Sequence, residues 1–126
     1  MALVLWVALG GAIGSAARHG VNVWSARVLG TEFPWHTLVV NVAGCFIMGA
    51  LTGLMALKLN LSQDMRVFLT TGILGGFTTF SAFSLDVALL VERKAHLAAG
   101  AYAAGSVLLS LVAVFAGLHV IRLIAQ

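Results

Sequence analysis

The stretch Gly75-Gly76-Phe77-Thr78-Thr79-Phe80-Ser81-Ala82-Phe83-Ser84 has the residues best suited to chemistry, and that chemistry is ion coordination. Adjacent glycines and adjacent β-branched threonines are poor material for a helix interior. The segment therefore predicts a break inside an otherwise apolar helix. At membrane depth a break persists only where it is buried in protein or lines a wet cavity. In transporters such breaks aim backbone groups at ions. Carbonyls released between Gly75 and Thr79 would suit a hard cation such as Na+; the alternative is a plain kink packed on a neighbour. After the break, Phe80/Phe83 and Ser81/Ser84 recur at helical spacing and share one surface. Hydroxyls donate, and the edge of a phenyl ring is partially positive. Together they predict an ion site and an ion path.

Other residues offer parts of the same chemistry. The Asn41 amide carries two N–H donors, which suit an anion, but equally serves as glue between helices. Thr37 and Cys45 stand one turn to either side of it on the same helix face. Arg18 is a charge well inside an apolar run. Either it draws anions into a vestibule, or its helix ends early and the side chain reaches the interface. Tyr102, Ser106 and Ser110 can donate along a path, though a serine can also bond the carbonyl four residues back. Asp86 is an acid without an obvious partner, suited to pairing with a basic residue or to tuning a mouth. His19, His36, His96 and His119 have no metal-ligand spacing, and Cys45 reads as a small packing residue. No nucleophile elbow or phosphate loop is present, so an enzyme reading has no support.

The elements that must hold these residues are membrane helices. Of 126 residues, 61% are hydrophobic and only 9% charged, whereas a soluble domain carries about a quarter. Mean hydropathy is +1.07, and the apolar runs are too continuous for barrel strands. The net charge of +3 comes from few residues and forms no nucleic-acid footprint. The expected architecture is all-α: one transmembrane domain, residues 1–126, with spans at about 3–26, 37–57, 65–91 and 96–123 in contact with membrane lipids. The third span is broken near Gly75 to Thr79, Thr37 opens the second, and Ser62 caps the third with Asp64 in its first turn. Gly10/Gly14 and Gly49/Gly53 are small pairs for close helix packing. Tyr102, Ser106, Ser110, Ala113 and Gly117 form a small, polar stripe along the fourth span.

Charge does not orient these spans. Lys58, Arg66 and Arg122 fall on one side, and Arg27, Arg93 and Lys94 on the other, with Arg18 set aside. Three against three gives the positive-inside rule nothing to act on. One reading is that the boundaries differ. The other is that the chain inserts both ways, which allows an antiparallel, dual-topology homodimer. Two chains would then reproduce the inverted repeat that many transporters carry within one.

Gly10-Gly11-Ala12-Ile13-Gly14-Ser15-Ala16-Ala17-Arg18, Thr37-Leu38-Val39-Val40-Asn41 and the Gly75–Ser84 stretch together resemble the Fluc (CrcB-type) fluoride-channel family over the whole chain. The resemblance implies an antiparallel homodimer in the bacterial cytoplasmic membrane that exports F− passively, with selectivity over Cl− and two pores. By similarity, Phe80 and Phe83 turn ring edges to F−, and Asn41 serves the vestibule and pore. Ser81, Ser84 and Ser110 lie on or near the polar track, and Arg18 is the arginine of span one, with Thr37 beside the vestibule. Gly75 and Thr78 supply carbonyls to a central structural Na+. Ala82, Asp86 and Val114 depart from the pattern, where Ser or Thr, Glu, and a track hydroxyl are expected. Two other readings compete. A small dual-topology multidrug-type exporter depends on an acid in span one, yet no acid precedes Glu32. A non-transporting assembly subunit explains glycines and serines as glue, but not Arg18 together with the break motif.

Overall fold

The computed structural model describes residues 2–57 and 60–125. Lys58, one of the charges in the topology count, lies outside them. The described residues are helical, without strands: α1 (Ala2–Leu29), α2 (Trp35–Leu57), α3 (Gln63–Val67), a π-helical stretch Phe68–Leu74, α4 (Gly75–Phe77), α5 (Ser81–Glu92) and α6 (His96–Ala125). Four segments are long and apolar enough to cross a membrane, and the third, Gln63–Glu92, holds the break.

Lipid offers helices little hydrophobic drive to associate, so close backbone packing decides the arrangement. α1 lies on the first half of the third segment, and α2 lies along α6. The glycines make both approaches possible. A Cβ on Gly10 would sit 2.5 Å from the Phe68 carbonyl oxygen, and one on Gly76 would sit 2.7 Å from that of Gly11. One on Gly14 would collide with the Ile73 carbonyl. On the other pair of helices, Gly49 abuts Val114 and Gly117 abuts Phe46. The stripe along α6 faces inward: Tyr102, Ser106, Ala113 and Gly117 are buried and Ser110 is half-buried. Tyr102 packs with Phe83, Leu90 and Ala99 in the core joining α5 to α6.

Thr37 and the glycine pair differ from the sequence reading, and the Ser62 cap agrees with it. Thr37 does not open the second helix, which begins at Trp35 just after the buried Pro34; its hydroxyl is used in a tertiary bond instead. The Ser62 cap forms, accepting the Met65 N–H at 3.2 Å, and the helix starts at Gln63. The glycine pair does not itself break the third helix. Gly75 keeps helical angles (φ −62°, ψ −38°), and the chain becomes extended only at Thr78 (φ −86°, ψ 158°). Gly76 is there for close approach to α1 rather than for conformational freedom. Ahead of it, the π-helical stretch widens the turn, and the Thr70 hydroxyl donates to the Arg66 carbonyl at 2.7 Å, a back-bond that loosens a helix.

α5 ends in a turn that carries the chain to α6. Lys94 N–H donates to Val91 O and Ala95 N–H to Leu90 O, each at 2.9 Å, while Lys94 takes φ 62°. This is a Schellman closure with lysine at the left-handed position that glycine usually fills.

Candidate ion pathway

The break is held from two sides. From α2, Asn41 Nδ2 donates to the Thr79 carbonyl at 3.0 Å, and Asn41 Oδ1 accepts the Thr79 N–H at 2.8 Å. From α1, Arg18 Nε donates to the Gly76 carbonyl at 3.0 Å. A cation at the C-terminal end of a helix also complements its dipole. Sequence reasoning offered Arg18 a vestibule or an interface; the structure adds a bond to the broken helix.

These bonds rearrange the backbone ladder. In helical register the Thr79 N–H would serve Gly75 O, and the Ala82 N–H would serve Thr78 O. The first turns to Asn41, and the second donates to Thr79 Oγ1 at 3.1 Å. Thr79 thus caps α5 with its side chain while its peptide pairs with α2. The Gly75 and Thr78 carbonyls both lose their helical donors in this way, so both could accept from a hard cation.

Beside the break lies a pocket of about 230 Å³ lined by uncharged groups. Asn41, Phe80, Phe83 and Ser110 line it, together with Thr78, Thr79, Cys45 and Ser106. Asn41 has a second amide hydrogen left over after its bond to Thr79. The Ser106 hydroxyl is buried and has no partner among the described residues. The Phe80 and Phe83 rings stand 5.5 Å apart at 46°. Phe83 is buried against Tyr102, but Phe80 is 75% exposed. Ser81 and Ser84 are also exposed and do not line the pocket. Ser81 Oγ lies 3.3 Å from Thr79 Oγ1.

Asp86, unplaced by sequence, is the hub of a second group. Its Oδ2 accepts from Thr37 Oγ1 at 2.8 Å and from Tyr102 OH at 3.0 Å. Three helices therefore meet at one carboxylate oxygen, and the acid has hydroxyl partners rather than a basic one. Thr79, Ser106 and this hub were not singled out together by sequence. The only signal was spacing: Thr37, Asn41 and Cys45 at steps of four on α2, and Ser106 and Ser110 at four on α6.

A family model described as "CrcB-like protein, Camphor Resistance (CrcB)" matches residues 5–118. The chain belongs to the CrcB family. Relatives of this chain are named fluoride-specific ion channel FluC. One from Rhizobium etli strain CFN 42 is 54% identical over 122 residues, 97% of this chain and 98% of the relative. One from Rhizobium johnstonii is 53% identical over 125 residues, 99% of this chain and all of the relative. One from Agrobacterium fabrum is 55% identical over 112 residues, 89% of this chain and 90% of the relative. With its apolar helices, this CrcB chain is a multi-pass protein of the bacterial inner membrane.

Proposed function

We propose that the chain is a passive, highly F−-selective channel that lets fluoride leave the bacterial cytoplasm. One observation carries the reading: Asn41, Phe80, Phe83 and Ser110 converge on an uncharged pocket beside the helix break. The names of the CrcB relatives support it. F− is small and strongly hydrated, so a selective path must replace its water with donors. The spare Asn41 N–H, the Ser106 and Ser110 hydroxyls and the edges of Phe80 and Phe83 offer such replacement without a fixed charge that would trap the ion.

The working unit is an antiparallel homodimer of one transmembrane domain per chain, with two pores. Its support is the exposed face around the break. Phe80, Ser81 and Ser84 lie open on a single chain, and hydroxyls facing hydrocarbon are costly. A second copy over that face would bring Ser81 and Ser84 into a path with the pocket. A central Na+ fits the donor set. The Gly75 and Thr78 carbonyls, stripped of their helical donors, would hold it together with the same pair from the other chain. Bound there, Na+ supplies a fixed positive charge between two breaks. Arg18 keeps the break in shape and turns its charge toward the neighbouring polar cleft, and Thr37 holds Asp86.

The test is F− efflux from liposomes containing the purified protein, read with a fluoride electrode. Valinomycin compensates charge, and a parallel set carries Cl−. Fast F− loss without Cl− loss is expected. A dimeric protein that releases neither ion, or both alike, would overturn the selective-channel reading.

A further inference from the structure

A second cleft, of about 290 Å³, adjoins the pocket and shares Thr79 with it. It is more polar than the pocket, and it brings together Arg18 and His19 of α1 with His36 of α2. His36 also lines a third cavity, of about 360 Å³, which contains Glu32, Asp86, Glu92 and Arg93. The first two spaces share Thr79 in their lining, and the last two share His36. His19 shares the cleft with a fixed cation, and His36 lines both that cleft and a cavity that also holds three carboxyl groups.

We propose that His19 and His36 make the uptake of fluoride from this cleft dependent on pH. This rests on the channel reading above. Arg18 gives the cleft one permanent positive charge, and its Nε is already occupied by the Gly76 carbonyl. Imidazole is the side chain that changes charge near neutrality. Protonated His19 adds to the field of Arg18. Protonated His36 adds to it too, and offsets the charge of Glu32, Asp86 and Glu92, which line the third cavity with it and with Arg93. A positive cleft raises the local concentration of an anion and its rate of arrival. The half-saturating fluoride concentration therefore falls as pH falls, while flux at saturating fluoride changes little.

The experiment measures flux against fluoride concentration in liposomes at about pH 8 and about pH 5.5. Undissociated HF crosses bare lipid, so protein-free vesicles set the baseline at each pH. The wild-type chain is expected to need roughly threefold less fluoride, or lower still, for half-saturation at the acid pH. His19→Gln with His36→Gln should flatten that ratio, and each single change should reduce it. A wild-type ratio of one overturns the inference, even if the variants fail to assemble. A double variant that keeps the wild-type ratio overturns it as well, by assigning the titration to the carboxylates. Flux that is absent at both pH values strikes the channel reading instead, and the inference falls with it.

Discussion

Asn41 of α2 and Thr79 of the break, 38 residues apart in sequence, pair as two peptide groups do, one donor and one acceptor each. The asparagine side chain thereby stands in for a missing turn of helix. Two further consequences follow from its chemistry. The side chain must be an amide, and it must be the short one, because an extra methylene would move both atoms out of register.

Asn41→Asp keeps the acceptor and loses the donor, so a carboxylate would face the Thr79 carbonyl and also repel an anion in the pocket. A loss of about 1–3 kcal/mol in stability is expected, with F− flux lowered at least tenfold. Thermal unfolding in detergent and liposome efflux check the two parts. Normal values in both would remove the pairing from the argument.

Phe80→Ile retains apolar bulk and removes the positive ring edge. Because Phe80 is exposed on the single chain, its loss leaves the monomer core intact. Flux should vanish while the elution volume of the assembled protein stays that of the wild type. An isoleucine variant that still conducts would exclude the ring from the mechanism.

Gly14 and Gly100 should respond in opposite senses to alanine. A methyl on Gly14 meets the Ile73 carbonyl, so α1 must move off the third segment at a cost of about 2 kcal/mol or more. Among the described residues nothing lies within 4 Å of a Cβ on Gly100, where alanine should gain up to about 1 kcal/mol by helix propensity. Melting temperatures of the two variants provide the comparison. Equal shifts would mean that the α1 contact is looser than described.

Lysines added between Asn60 and Gln63 should bias insertion and lower efflux, and coexpression with an oppositely biased copy should restore it. Full activity from one biased copy alone would rule out the antiparallel assembly.

Much of the helix packing was legible because it depends on residue size along one helix. The pairs at Gly10/Gly14 and Gly49/Gly53, and the stripe from Tyr102 to Gly117, announce where backbones come close. The Ser62 cap was legible for the same reason, since its partner is only three residues away. What lay beyond the sequence was pairing at a distance. Asp86 meets Thr37 across 49 positions, and Arg18 meets Gly76 across 58. Neither spacing nor hydropathy encodes such a match. The break falls at the threonine end of the expected Gly75–Thr79 stretch, because glycine can hold a helix when a neighbouring backbone needs its missing side chain. The π-helical stretch has no residue code of its own, and Thr70 became legible only through its bond to Arg66.

The clamp on the broken helix has a dynamic meaning. Bending the break to open or shut a gate would strip the Gly76 and Thr79 carbonyls of Arg18 and Asn41. Each lost bond to a part-buried group would cost about 1–3 kcal/mol. The break is therefore a stationary part, tied to α1 and α2 so that all three helices move together or not at all. Throughput then depends on what lines the route, and adjustment falls to its approaches, where the side chains are free to change charge without moving the backbone.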